Sequence, residues 1–259
     1  MVVYAGQGDP RRSMSLLWRG AAEAKPGLTL ESILDAAVAV ADEGGMASLS
    51  MRAVGERLGR TAMALYGYVP GKAELVDLMY DRVLAELPTS YDLSVGWRAA
   101  LTAWAQDSRA FHLRHPWVLV VSQARPVLGP HEFVVLETVL SVLRETGLPP
   151  SVLRGVVGTV VQFVRGAAAV IADAREAAGA TGVADDEWWY ARSALITELA
   201  PDFAQRFPLT TWFGEEEPPP VPGEEDAPYL ERDAVRNFRV GLEVLLDGIE
   251  AAVSRVVSG

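Results

Sequence analysis

The sequence predicts an all-α protein, and three observations lead there. Apolar residues recur at helical spacing along most of the 259 residues. No stretch alternates apolar and polar residues between hairpin turns, so a sheet is not expected. Caps, glycines and prolines fall where helices of ordinary length would start and stop. With 50% of its residues hydrophobic, the chain can build a substantial core, as one large domain or two smaller ones.

Residues 1–27 lack periodicity and carry Arg11, Arg12, Arg19 and Lys25, which reads as a mobile basic arm or as an ordinary disordered terminus. From Thr29, a candidate N-cap, Leu30, Ile33, Leu34, Ala37, Val38 and Ala41 line one helical face as far as Gly44-Gly45. Ser50 can cap a second, short helix with Met51, Val54 and Leu58 on one side, stopped at Gly59. Thr61 can cap a third, Ala62 to Tyr68, before Pro70-Gly71 breaks the chain. A fourth helix, about Lys72 to Glu86, carries Leu75, Leu78, Met79, Arg82 and Val83, and Pro88 closes a domain over 28–88. The remainder, 89–259, forms a larger helical domain with helices over about 94–114, 116–123, 130–146, 149–177, 187–206 and 229–256. Within it, the acidic and proline-rich stretch at about 214–228 cannot bury a face and is expected as a disordered loop.

Several function classes fall away. The absence of cysteine excludes a disulfide scaffold, a thiolate zinc site and a cysteine nucleophile. No glycine-rich phosphate loop, Gly-x-Ser-x-Gly elbow or His-Glu-x-x-His motif is present, so an enzyme is not expected. His112 and His115 are three apart, but His131 is the only other histidine, and neither a metal nor a cofactor is expected. His115, before Pro116, reads instead as a helix end where an imidazole satisfies free carbonyls. No secretory signal is visible, and the apolar run Val156 to Ile171 is interrupted by Gln162 and Arg165, which suits a buried helix better than a membrane span. A cytoplasmic location without a membrane partner is expected.

The net charge of −11 argues against general nucleic-acid binding, but the charge is divided. From Arg11 to Lys72 eight Lys/Arg face six Asp/Glu, whereas from Tyr91 onward fourteen face twenty-three. A slightly basic front on an acidic body suits an N-terminal DNA reader.

Two short helices joined across Gly59 suggest a helix-turn-helix, in which the second helix lies in the major groove. Spacing alone is weak, but the flanking residues add to it. Ile33-Leu34-x-Ala36-Ala37, Gly45, Leu49-Ser50-Met51-Arg52, Leu58-Gly59 and Ala64-Leu65-Tyr66-x-Tyr68-Val69-Pro70-Gly71-Lys72-x-x-Leu75 resemble the DNA-binding domain of the tetracycline-repressor (TetR) family. The resemblance implies that Arg52 reaches a guanine, whose O6 and N7 accept two parallel bonds from one guanidinium. The plainer alternative is a surface arginine paired with Glu56 at i+4. Tyr66 and Lys72 match phosphate-touching positions; Ser50 and Thr61 can touch phosphate or act as caps; Tyr68 can touch phosphate or simply pack. Ala62, Met63 and Gly67 stand with Ala64 where relatives place base-reading side chains, yet none can hydrogen-bond a base edge. Apolar contact with thymine methyls remains open to them, with Arg52, Arg60 and DNA shape carrying the rest. Gly67 inside a helix should cost roughly 1 kcal/mol relative to alanine.

The larger domain resembles the regulatory domain of the tetracycline repressors, through His115-Pro116-Trp117, Arg125-Pro126-x-Leu128-Gly129-Pro130, Phe163-Val164-x-Gly166, Asn237-Phe238-x-x-Gly241-Leu242 and Leu246-Asp247-Gly248-Ile249. The resemblance implies a homodimer built on a four-helix bundle, with Val156, Val160, Gly241, Leu242, Leu245 and Ile249 as candidate interface residues. Ordinary core helices are the alternative. Small residues at Gly155, Gly158, Gly166 and Gly241 would allow close helix approach. Polar groups among aromatics nominate Trp104, His112, Trp117, Arg125, Gln162 and Phe163 as lining of a pocket for a small apolar or aromatic effector. Together these features imply a repressor that binds a double-stranded palindromic operator and is released by that effector. A helical ligand-sequestering or protein-interaction module without sequence-specific DNA binding is the competing expectation.

Overall fold

The computed structural model describes residues 3–19, 27–216 and 226–257, and among these the fold is all-α. The chain forms two compact units, 1–165 with 245–259, and 166–244. Twelve α-helices are defined among the described residues: α1 (Pro10–Arg19), α2 (Leu30–Ser48), α3 (Met51–Arg57), α4 (Ala62–Leu65), α5 (Lys72–Leu84), α6 (Trp97–Arg114), α7 (Pro130–Arg144), α8 (Pro150–Thr181), α9 (Asp185–Leu199), α10 (Phe203–Arg206), α11 (Pro208–Phe213) and α12 (Tyr229–Val257).

The first unit is organised around α5, which packs on α1, α2 and α7. Its N-terminal half has a core of Ile33, Ala37, Val54, Leu65, Val69, Leu75 and Met79, joined by Trp117 and Val118 from a 3-10 turn over Pro116–Val120 and by Val121 just after it. Thr29 caps α2 reciprocally with Ser32: each side-chain oxygen accepts from the other residue's backbone N–H at 3.1 Å. Gly45 breaks α2 with φ +67°, where the glycine pair is expected to end it.

The N-terminal segment departs from the expected mobile arm. Pro10–Arg19 is helical, Ala5 and Ser13 are buried, and Val3 pairs with the 120–122 strand-like stretch through Val3 N–H to the Val120 carbonyl (2.9 Å) and Ser122 N–H to the Val3 carbonyl (2.7 Å). Two buried carboxylates of α5 hold this segment, Asp77 accepting from Gly6 N–H (2.8 Å) and Glu74 from Asp9 N–H (3.3 Å). Burial raises the Asp77 carboxyl above its ordinary range. Residues 20–26, the rest of that expected arm, lie outside the described residues. A third buried α5 carboxylate, Asp81, accepts from His131 and Glu132 N–H (3.0 Å each) and from His131 Nδ1 (2.8 Å), so it caps the start of α7.

In the second unit, Arg175 pairs with Glu231 at 2.6 Å and Trp189 stacks on Tyr229 with centroids 5.2 Å apart. The expected single helix over 187–206 is divided into α9 and α10 at Ala200–Asp202. Most of the expected loop at 214–228 lies outside the described residues.

Candidate nucleic-acid interface and ligand pocket

Helices α3 and α4 form a helix-turn-helix whose geometry follows from local chemistry. Ser50 takes extended backbone and its hydroxyl accepts from Ala53 N–H at 3.1 Å, starting α3. At the other end Gly59 adopts φ +63°, and Arg60 N–H donates to the Gly55 carbonyl at 2.8 Å, which closes the turn as a Schellman cap. Gly55 was not among the expected functional positions, yet the turn is built on it. It is buried, and a Cβ there would lie 2.7 Å from the Arg60 carbonyl oxygen and 3.2 Å from Ala62 N. Only a residue without a side chain lets α4 sit this close to α3.

Thr61 stands at the N-cap of α4 but makes no side-chain cap bond. The helix is one turn long and ends at Leu65, which is fully buried and anchors it, so Gly67 lies in the following turn rather than inside the helix. Outward from α4 and its turn stand Met63, Ala64, Tyr66 and Gly67, with Arg52, Arg60, Ser50 and Thr61 also exposed and Ala62 half-buried. The Arg52 guanidinium donates to Glu56 at 2.7 Å; both side chains are largely in solvent, so the i+4 pair exists and leaves most of the guanidinium accessible.

Two residues at expected phosphate positions make bonds within the chain. Tyr68 is buried, and its hydroxyl donates to the Leu28 carbonyl at 2.8 Å, so it packs rather than faces a ligand. The Lys72 ammonium donates to the Leu49 carbonyl at 2.6 Å, tying the start of α5 to the end of α2.

The pocket candidates also separate. Trp104 is core on α6. Trp117 is buried, with its indole N–H on Asp42 of α2 at 2.8 Å. Arg125 is exposed and Phe163 is half-buried. His112 Nδ1 faces the Ser108 carbonyl at 2.7 Å, and burial pushes its imidazole down to about 4, which keeps it neutral near pH 7. Gln162 alone of the six lines a pocket of about 380 Å³, with residues 119–123 and Arg165. Arg165 was missed, although its interruption of an apolar run was the available signal. Its guanidinium donates to the carbonyls of Val118 (3.1 Å), Leu119 (2.5 Å) and Val121 (2.7 Å), and burial lowers its pKa.

His115 does not satisfy helix-end carbonyls. Its buried ring places Nδ1 2.8 Å from Asp42 and Nε2 3.1 Å from Glu86, so both nitrogens face carboxylates. His115 and Trp117 therefore grip α2 from the segment that continues into the pocket wall, and Gln123 at its far end donates to the Tyr80 hydroxyl of α5 at 2.9 Å.

Among the interface candidates, Val160, Leu242 and Ile249 are buried within the chain itself, which removes them from any partner-facing surface; Val156, Gly241 and Leu245 are half-buried. The expected buried helix at 156–171 is buried on one side only: Val160, Val164, Ala168 and Ile171 point in, while Val152, Gly155, Thr159, Gln162, Gly166 and Val170 form an exposed stripe. By length and composition α8 is also apolar enough to cross a membrane. On α12, Val240, Val244 and Gly248 are exposed. A Cβ at Gly155, Gly158, Gly166 or Gly248 would meet no atom within 4 Å, so the expected close helix approach is not made there within the chain.

Comparison with known proteins agrees with this architecture. The family description "Tetracyclin repressor-like, C-terminal domain" matches residues 92–253, and "Bacterial regulatory proteins, tetR family" matches residues 33–79. The chain is 38% identical over 256 residues to the HTH-type transcriptional repressor DrrR1 of Streptomyces coeruleorubidus, covering 97% of this chain and 89% of that protein. An HTH-type transcriptional regulator of Saccharopolyspora erythraea is 34% identical over 123 residues, 48% of this chain and 52% of that one. In fold, the chain is similar to ActR of Streptomyces coelicolor in complex with (S)-DNPA, with a TM-score of 0.66 at 23% identity, covering 88% of this chain and 100% of that one. The chain belongs to the TetR family of bacterial transcriptional regulators, with a tetracycline-repressor-like C-terminal domain.

Proposed function

We propose that this protein is a cytoplasmic transcriptional repressor that binds a palindromic operator as a homodimer and releases it when a small apolar or aromatic molecule occupies the pocket at residues 119–123, Gln162 and Arg165. One observation carries the reading. The segment 115–123 is a wall of that pocket at one end and holds α2 of the DNA-binding helices at the other, through Trp117 and His115 on Asp42. A molecule that displaces the wall therefore biases the placement of the reading helices. Arg52 supplies guanine recognition, while Ser50, Thr61, Tyr66 and backbone N–H groups supply phosphate contact. The exposed stripe of α8 and the exposed valines of α12 supply apolar surface for a second copy.

An α4 without a hydrogen-bonding side chain favours the competing reading, a sequestering module without sequence-specific DNA binding. One experiment separates the two. Binding to the DNA upstream of the coding region, and to a pool selected from random sequence, is measured at two salt concentrations for wild type and Arg52→Ala. The repressor reading expects tight, salt-dependent binding by wild type and lost base preference in the variant. Absence of any selected sequence at low salt would establish the sequestering module instead.

A further inference from the structure

Met63 has 77% of its surface in solvent, on a helix of four residues. It is the one large apolar side chain projecting from α4, since Leu65 is fully buried and the others are alanines. Isolated exposed apolar residues are common and need no purpose. The helix that carries this one is fixed in place: the turn before it sits against Gly55 without room for a methyl group, and Leu65 anchors it from below. Its flanks are equally specific in what they lack. Ala62, Ala64 and Gly67 offer no hydrogen-bonding group, and a Cβ at Gly67 would meet nothing nearer than the Ala64 carbonyl at 3.7 Å, so no packing demand within the chain explains the glycine.

We infer that Met63 is a specificity-determining residue that reads the C5-methyl group of thymine in the major groove, with Ala64 and Gly67 clearing the approach. The inference rests on the DNA-binding reading above and names what that site recognises. The chemistry leaves few choices. On the major-groove edges of the four bases, the thymine methyl is the one methyl group and the largest apolar feature; beside the small C–H edges, the other groups there are donors or acceptors. A side chain that can neither donate strongly nor accept strongly gains from the groove only by covering that methyl. Methionine suits the task because its unbranched, polarisable thioether adapts to an irregular apolar surface. The half-site therefore carries thymine opposite α4 and guanine opposite Arg52. A 5-methylcytosine paired with guanine presents the same methyl group, and α4 offers no hydrogen-bonding side chain that would tell its N4 donor from the O4 acceptor of thymine.

The test uses the full chain and a duplex operator obtained by selection from random sequence. Each thymine is replaced singly by deoxyuridine, which removes the methyl group and nothing else. Loss of one buried methyl should weaken wild-type binding about three- to five-fold, at one or two positions in each half-site. Met63→Ala should bind more weakly overall, lose its response to deoxyuridine at those positions, and keep both its guanine preference and its salt slope. Because Met63 is exposed, the variant should melt with wild type. A duplex with a 5-methylcytosine–guanine pair in place of the critical thymine–adenine pair should recover most of the affinity lost with deoxyuridine; no recovery would show that a group other than the methyl is read and would overturn the inference. Deoxyuridine sensitivity persisting in Met63→Ala, or missing from wild type at every position, would overturn the whole inference while leaving sequence-specific binding intact. Failure of wild type to select any sequence would remove the DNA-binding reading itself.

Discussion

Gly55→Ala adds one methyl group where the turn between α3 and α4 has no space for it. The new Cβ would lie 2.7 Å from the Arg60 carbonyl oxygen and 3.3 Å from the Thr61 carbonyl carbon, both backbone atoms that cannot rotate aside. Ordinary carbon contacts need roughly 3.5 Å, so the turn must retreat by about half an ångström or more. The retreat also strains the 2.8 Å bond from Arg60 N–H to the Gly55 carbonyl. Overpacking of this kind costs about 1–3 kcal/mol, while alanine returns about 1 kcal/mol of helix propensity. The net loss of stability is therefore small, of order 0–2 kcal/mol. DNA recognition should suffer more, because α4 and Arg52 must engage one half-site together and the substitution moves one against the other. Affinity for a selected operator, followed by fluorescence anisotropy, should fall at least ten-fold while the melting temperature falls by a few degrees. Wild-type affinity together with an unchanged melting temperature would refute the claim that Gly55 sets the spacing of the two helices.

Three further outcomes follow from other sites. Gly67→Ala should leave the melting temperature unchanged, since its Cβ meets only an ordinary 3.7 Å contact, but should reduce operator affinity; retained affinity would show that DNA does not approach there. Asp42→Ala leaves the buried Trp117 N–H and a buried His115 nitrogen without their acceptor, and should lower urea stability by about 2 kcal/mol; a loss under 0.5 kcal/mol would mean that these bonds contribute little net stability. His112 has its folded-state pKa depressed to about 4 from an ordinary 6.5, so the unfolded chain takes up a proton first as pH falls. Its contribution is full above pH 6.5 and is lost between 6.5 and 4, by up to about 3 kcal/mol. Urea titrations at pH 7 and pH 5 should show a smaller acid loss for His112→Phe than for wild type, and equal losses would refute the assignment.

Local chemistry was legible in the sequence, and tertiary partnership was not. Thr29, Ser50 and Gly59 start and stop helices through bonds to residues within five positions, so their roles can be read from spacing alone. Helix α1 was missed because its order depends on Asp77 and Glu74, two carboxylates that read as solvent-facing until the fold buries them against residues 6–9. Tyr68 and Lys72 occupy family positions for phosphate contact, but only the packing of α2 reveals that one bonds the Leu28 carbonyl and the other the Leu49 carbonyl. Gly55 carried no signal beyond an unfavourable helix propensity, since the backbone it admits is five residues further on. Val160, Leu242 and Ile249 show a related ambiguity: an apolar helix face has the same composition whether it meets its own chain or a second copy.

Release of an operator by ligand needs a coupling energy, commonly 1–3 kcal/mol between two sites. On the reading proposed above, that energy must pass through contacts that differ between the bound and the released arrangement. The Trp117 and His115 bonds to Asp42 are of the right size, because hydrogen bonds to charged groups contribute about 1.5–3 kcal/mol each. Arg165 supplies the other end of the path. Its guanidinium has given up water for three backbone carbonyls, and burial lowers its pKa. A ligand bearing an acceptor would compete for the same donors and free the wall to move. A purely apolar ligand of equal volume would fill the pocket without that competition. Among apolar or aromatic effectors, those that also carry a carbonyl, phenolate or carboxylate oxygen within reach of Arg165 should therefore release a selected operator at lower concentration, as read by fluorescence anisotropy, and equal release by purely apolar analogues would refute this path.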